Sequence, residues 1–240
     1  MPGMTDSFDY ESIEVGYYDS VFHRNKGMQS KWHQLKFDRI RRELGAPQKH
    51  LDIACGPGTF IGSLQQQTSS VGVDIAANQI EYATRIYGGE KAEFRQIAEG
   101  PLPFEDAVFD AVTIVELIEH LEKDNVEPLL TEARRVMKPG GHIIATTPDY
   151  GGVWPAVEWL LNRVGDVSYE DQHINKFKKQ RLAETVKAAG FVNVKVRSYL
   201  FAAPFVAAVG WRFADVIESL EPAFLVDRMG LLLIATADAP

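Results

Sequence analysis

The chain has 240 residues, 45% of them hydrophobic and 24% charged, the composition of a folded globular protein with a real core. Its net charge is −8, and residues 49–150 carry the whole deficit, sixteen acidic side chains against eight basic. This excludes the broad basic face that a nucleic-acid partner needs, and the single cysteine, Cys55, excludes an internal disulfide framework.

Residues 17–45 read as helical, with Trp32, Leu35, Phe37, Ile40 and Leu44 as apolar positions. From His50 the pattern changes to short apolar runs alternating with amphipathic stretches. H-L-D-I-A is a buried strand and T-F-I-G-S-L-Q-Q-Q a helix. S-V-G-V-D-I is a second strand, followed by the helix A-N-Q-I-E-Y-A-T-R-I-Y. A-E-F-R-Q-I-A is the third strand and F-D-A-V-T-I-V-E the fourth. The helix V-E-P-L-L-T-E-A-R-R-V-M stops at the turn K-P-G-G, and H-I-I-A-T-T-P is the fifth strand. Residues 149–178 form an insertion with V-W-P-A-V-E-W-L-L-N-R-V. A helix ended by Gly190, the alternating strand V-N-V-K-V-R-S-Y-L, the helical F-V-A-A-V-G-W-R-F-A-D-V-I and the strand G-L-L-L-I-A-T-A complete the chain. Strands alternating with helices predict an α/β fold, a doubly wound, seven-stranded, mostly parallel sheet. The expected organisation is a helical cap over 1–48, a ligand-binding core over 49–148, a lid insertion over 149–178, and the rest of the core sheet with an apolar helix over 179–240.

In such a sheet, ligands bind beyond the carboxyl ends of the strands, where the strand order reverses. The loop after the first strand, A-C-G-P-G-T, lies there. Gly56 and Gly58 let the main chain pass close to a ligand, and the next helix presents free N–H groups. Asp74 ends the second strand, where a carboxylate can accept both hydroxyls of a ribose. Dinucleotide oxidoreductases share this geometry. Their G-x-G-x-x-G fingerprint wants glycine at Ile61, whereas the third glycine here is Gly62.

L-D-I-A-C-G-P-G-T, V-G-V-D, L-P-F-E-D-A-V-F-D-A-V and E-A-R-R-V-M-K-P-G-G-H-I-I-A-T-T-P occur in that order. Together they resemble the class I S-adenosylmethionine-dependent methyltransferases, closely over residues 49–149 and loosely over the whole chain. The resemblance implies a Rossmann-like fold and S-adenosylmethionine as cofactor. Asp52, Ala54, Gly56 and Gly58 would line its methionine part, Asp74 would hold the ribose, Ile75 would lie against the adenine, and Ala98 and Glu99 would edge it. Ile97 departs from relatives that place an Asp before this Ala-Glu pair. Cys55 reads as a small buried residue.

The fourth strand runs into E-L-I-E-H. If the chain turns helical at Glu116, then Glu119 and His120 project to the same side. Two carboxylates and an imidazole can bind a divalent cation, with hard oxygen ligands favouring Mg2+ or Mn2+. The E-x-x-E-H pattern resembles the ubiquinone-biosynthesis O-methyltransferases and the small-RNA 2′-O-methyltransferases, where a downstream histidine completes a metal site. That implies Glu116, Glu119, His120 and His173 as ligands. The same groups also read as an ordinary hydrogen-bonded pair with no metal. Methyl transfer is an in-line displacement, and the acceptor must lose a proton. A metal would lower the pKa of a bound hydroxyl. Without one, His173, His120 and His33, in that order, are the candidate general bases.

Acceptor choice lies in the flanks. The cap stretch Y-Y-D-S-V-F-H-R-N-K-G-M-Q-S-K-W-H is expected to cover the cleft, with Tyr18, Lys31, Trp32 and His33 facing it. Trp154, Trp159, Leu160 and Leu161, with the lysines near 176, suit a hydrophobic or aromatic pocket or a peripheral membrane contact. The expected enzyme moves a methyl group to a small molecule, foremost at a hydroxyl oxygen. Carbon, nitrogen, sugar or lipid-linked glycan acceptors are the alternatives, as is a non-catalytic cofactor-binding subunit. No apolar run approaches the about 20 residues of a spanning helix, and the acidic opening stretch does not read as a signal peptide. A cytoplasmic location and a homodimer fit these features.

Overall fold

The computed structural model describes residues 14–64, 68–164 and 172–240. Two helices come first, α1 (Tyr17–His23) and α2 (Gly27–Leu44). The core then runs β1 (Lys49–Ile53), α3 (Thr59–Ser63), β2 (Ser69–Asp74), α4 (Ala77–Tyr87), β3 (Ala92–Gln96), β4 (Phe109–Val115), α5 (Lys123–Val136) and β5 (Met137–Pro148). After α6 (Trp154–Val164) come α7 (Lys179–Ala188), β6 (Val192–Tyr199), α8 (Ala203–Val206), α9 (Trp211–Leu220), α10 (Ala223–Met229) and β7 (Leu232–Asp238).

The strands form one seven-stranded sheet in the order β3-β2-β1-β4-β5-β7-β6. The pairs among β1 to β5 are parallel, and β7 runs antiparallel to both β5 and β6. The order reverses between β1 and β4, so the loops after these two strands flank the crevice where such sheets bind ligands. Period-two alternation sends strand residues into two cores. Leu51, Ile53, Val112, Ile114 and Ile143 pack with Leu130, Leu182 and Val186, under α5 and α7. Ala111, Ile144, Leu232 and Ile234 pack with Leu35, Phe37, Ile40 and Leu44 of α2. That second core fixes α2 against the sheet, which places its polar residues at the crevice. Among the described residues, no helix is long and apolar enough to cross a membrane.

Several element boundaries differ from the sequence expectation. The single helix over 17–45 is two, because Asn25 (φ 52°) and Gly27 (φ 79°) take left-handed backbone. The helix over 205–217 is likewise broken, between Val206 and Trp211. The fifth strand begins at Met137, not His142. Met137 pairs with Phe109, the register shifts, and His142 resumes opposite Ala111, so K-P-G-G is a bulge within the strand. The third strand ends at Gln96. The helix after the glycine loop ends at Ser63, and Gln65 to Gln67 of the expected helix lie outside the described residues. Helix α10 has no counterpart in the sequence reading.

β1 also carries a buried polar chain. His50 is fully buried, with Nδ1 3.1 Å from the Ser70 hydroxyl and Nε2 2.8 Å from Thr113 Oγ1. Thr113 donates onward to Asp52. Burial, reinforced by His142, pushes the His50 pKa down to about 3. The native state therefore binds fewer protons at His50 than the unfolded chain between about pH 3 and 6.5. This contribution is fully present above that range and is lost as pH falls through it. The urea-unfolding free energy of wild type minus that of His50→Asn should shrink on going from pH 7.5 to pH 5, by up to about 1.4 kcal/mol per unit inside the window. Parallel curves for the two proteins would show that His50 is not the linked group.

Candidate active site

β1 delivers a tight loop whose backbone is left-handed at Ala54 (φ 59°), Gly56 (φ 51°) and Gly58 (φ 76°). The two glycines are there for different reasons. A Cβ on Gly56 would meet nothing within 4 Å, so this position opens onto the crevice. A Cβ on Gly58 would fall 2.7 Å from the Phe94 ring and 2.9 Å from Ala83 Cβ. Gly58 is therefore set by close packing on α4 and β3, which the sequence reading had assigned to ligand approach. Asp74, at the end of β2, ties the loop down. Its carboxylate accepts from Gly56 N at 2.8 Å and from Ala76 N at 2.9 Å. Burial raises the Asp74 pKa despite these bonds. Ile75 follows, 39% exposed, and Ala98 and Glu99 lie exposed in the loop after β3.

Asp52 is buried beneath this loop. Burial raises its pKa to about 7, against the Thr113 hydrogen bond and with help from the Asp74 charge. Cys55 is buried too, and burial drives its thiol pKa well up. Its Sγ occupies the space left by Gly72, whose Cβ would come within 2.8 Å. A thiol packed this way is a space-filling group and a poor nucleophile.

The loop after β4 brings the second set of groups to the same crevice. Glu116 takes a left-handed backbone (φ 51°), and His120 N bonds Leu117 O at 3.0 Å. The expected helical turn from Glu116 does not form, and helix resumes only at Lys123. The reversal separates Glu116 from the residues after it. Its carboxylate accepts from the buried Lys36 of α2. Glu119, His120 and His173, in contrast, bring donor atoms within 4.8 Å of one another.

Both histidine rings of this trio are held from behind. His120 Nδ1 lies 2.9 Å from Gln172 O, which can only accept, so Nδ1 carries the proton and Nε2 the lone pair. His173 Nδ1 lies 2.8 Å from Glu158 Oε1 and 3.0 Å from the Tyr150 hydroxyl. Burial lowers the pKa of both rings. Asn175 stitches the segment of His173 to the β4 loop, through its N to Glu119 O and its Nδ2 to Leu121 O, each 2.9 Å. Glu119 is 1% exposed, and its Oε2 has no hydrogen-bond partner. Burial, with the Glu116 charge second, raises its pKa to about 8. The buried Trp154 ring lies tilted 5.9 Å from His173 and 5.7 Å from the half-buried Trp32, which packs aromatic rings behind this side.

Residues 51–145 match the methyltransferase domain family. The chain is 27% identical over 222 residues to the ubiquinone/menaquinone biosynthesis C-methyltransferase UbiE of Desulfotalea psychrophila, an alignment covering 83% of this chain and 86% of that one. The matched domain and this relative support a class I S-adenosylmethionine-dependent methyltransferase. Solved structures agree on the fold. A SAM-dependent methyltransferase from Archaeoglobus fulgidus superposes with a TM-score of 0.62 at 18% identity, covering 85% of this chain and 93% of that one. Geranyl diphosphate C-methyltransferase from Streptomyces coelicolor superposes with a TM-score of 0.62 at 15% identity, covering 98% and 87%.

In this methyltransferase Asp52, Ala54, Gly56, Gly58, Asp74, Ile75, Ala98 and Glu99 all lie at the carboxyl ends of β1, β2 and β3 or in the loops beyond. Of the residues expected on the acceptor side, Glu119, His120 and His173 come together. Glu116 stands beside them but is engaged by Lys36. His33 lies outside the trio, in an aromatic array 5.7 Å from the Tyr18 ring and 6.3 Å from Phe37. Lys31 does not face the crevice as expected. It is buried between Asp215, at 2.9 Å, and the Trp211 ring, at 4.1 Å.

Four residues around the candidate site are absent from the sequence expectation: Asp19, Lys36, Tyr150 and Glu158. Asp19 is 5% exposed and accepts from Thr59, Tyr82 and Tyr87, which clamps α1 over the start of α3. Glu158 was the more legible. It is a lone carboxylate in the otherwise apolar run V-E-W-L-L, a pattern that signals either an exposed position or a buried partner.

Proposed function

We propose that this methyltransferase moves a methyl group to a hydroxyl-bearing aromatic small molecule, foremost at the hydroxyl oxygen. The observation that carries the reading is the convergence of Glu119, His120 and His173 after β4, the strand that pairs with β1 and its Gly56 loop, with the Trp154 ring beside His173 and Trp32 beside Trp154. With the methionine part of S-adenosylmethionine along Asp52 to Gly58 and its ribose on Asp74, the methyl group would face this trio. Methyl transfer then asks the protein for alignment and for removal of one proton. A neutral imidazole with an Nε2 lone pair is suited to take that proton. The aromatic rings hold a flat acceptor, and Lys36 neutralises Glu116 so that the crevice carries less negative charge.

The trio also fits a divalent cation. Two neutral imidazoles and a buried carboxylate oxygen without a partner form a donor set, spaced slightly wider than the about 4 Å that two ligands span on one ion. With Glu116 engaged by Lys36, two nitrogens and one oxygen suit Mn2+, Fe2+, Co2+ or Zn2+ better than Mg2+. When bound, such an ion would lower the pKa of the acceptor hydroxyl. Glu119, His120 and His173 would hold it.

A second reading is methylation at carbon, supported by the relatives named as ubiquinone/menaquinone biosynthesis C-methyltransferases. A phenolic acceptor connects the two readings, since loss of its proton activates the oxygen and the ring carbons ortho and para to it. The atom aligned in line with the methyl–sulfur bond decides the product. Incubation with methyl-13C S-adenosylmethionine and catechol, a substituted hydroquinone or 1,4-dihydroxynaphthalene should give a methoxy carbon resonance. A ring-methyl resonance would select the second reading, and label that stays on the cofactor with every probe would count against both.

A further inference from the structure

We propose that Glu158, on the lid helix α6, is a positioning residue that fixes His173 as the Nδ1–H tautomer and so sets where its lone pair lies. The proposal rests on the reading of the trio as the acceptor-side centre, and its argument is proton counting. Tyr150 has one hydroxyl proton, which it donates to Glu158 Oε1 at 2.5 Å. The same oxygen lies 2.8 Å from His173 Nδ1, and a carboxylate oxygen in this bond can only accept. The proton between them therefore belongs to Nδ1. The Tyr150 oxygen, 3.0 Å from Nδ1, has spent its proton and can only add a second acceptor. The neutral ring then has its lone pair at Nε2, the form that a general base or a metal ligand requires.

The surroundings make a packing role a poor explanation for Glu158. It is 5% exposed, as is His173, while Trp159 and Leu160 next to it on the helix are 56% and 51% exposed, so α6 turns a carboxylate inward and apolar side chains outward. Burying a carboxylate costs more than burying a leucine of similar reach unless the partner bonds compensate it. Here the partners are the tyrosine and the histidine. His173 is held from the other side by its own segment, since Gln172 O accepts from His120 and Asn175 bonds the backbone of Glu119 and Leu121. The imidazole thus lies between the β4 loop and the lid. Docking of α6 and orientation of His173 become one event, and a lid that moves away leaves the ring free to change tautomer.

The test uses the full chain labelled with 15N-histidine. The chain has six histidines, and His173→Asn identifies the resonances of interest. In wild type, His173 should show a protonated Nδ1 and an unprotonated Nε2. Glu158→Gln offers an amide that can donate or accept, so the ring should move to a mixed or reversed tautomer. The kcat for the 13C-methylated phenolic probe should fall about 10- to 100-fold with S-adenosylhomocysteine affinity unchanged, and Glu158→Asp should recover part of the loss. An unaltered tautomer in Glu158→Gln overturns the proposal, whether or not activity falls. A His173→Asn variant that keeps wild-type turnover, together with a shifted tautomer in Glu158→Gln, would instead remove the catalytic reading of the trio and leave the positioning bond standing.

Discussion

Glu119→Gln should lower kcat for methyl transfer by about 10²- to 10³-fold while binding S-adenosylhomocysteine as wild type does. The side chains are nearly isosteric, so the change removes the ionisable oxygen and little else. Oε2 of Glu119 is buried without a hydrogen-bond partner, which is a stability cost that packing alone would not keep. The variant should therefore melt at the wild-type temperature or somewhat above it, the pattern of a group kept for function at the expense of stability. A loss of activity accompanied by a large fall in melting temperature would mean that Glu119 is structural. Retained activity would remove it from the site.

Asp74→Ala should have the next largest effect, on a different step. Its carboxylate holds the Gly56 and Ala76 amides, at 2.8 and 2.9 Å, and is expected to take both ribose hydroxyls. Hydrogen bonds to a charged group contribute about 1.5–3 kcal/mol each. Losing two of them weakens cofactor binding by at least about 100-fold. Calorimetry with S-adenosylhomocysteine measures this directly, and binding within about threefold of wild type would show that the ribose sits elsewhere. Turnover at saturating cofactor should fall far less than affinity, the reverse of the Glu119→Gln pattern.

The sheet was legible because its signals are local. Runs such as H-L-D-I-A and S-V-G-V-D-I need only burial on both faces to become parallel strands, and the glycine loop follows the first of them. The boundaries that moved depend on single residues in unusual backbone, Asn25 and Glu116 above all, which composition and periodicity do not reveal. Glu116 shows the consequence for the site. Helical spacing predicted that it would join Glu119 and His120, but a left-handed turn at that residue sends its carboxylate to Lys36 instead. His173 was found because a histidine at that place in a known pattern carries chemistry. Glu158, Tyr150, Asp19 and Lys36 were not, since each acquires its meaning from a partner at least eight positions away in the chain. Gly58 and Gly72 carry a similar lesson. Their need for glycine comes from Phe94, Ala83 and Cys55, contacts that exist only once the sheet has formed.

The proposed methyl transfer requires one spatial relation, that the cofactor's sulfur faces the Glu119, His120 and His173 trio across the crevice between β1 and β4. A crystal structure of the protein with S-adenosylhomocysteine measures it most directly. The homocysteine should run along Asp52 to Gly58, the ribose hydroxyls should meet the Asp74 carboxylate, and the sulfur should point toward the trio with room for a flat acceptor between them. A cofactor bound in that cradle with its sulfur turned away from the trio would contradict the account.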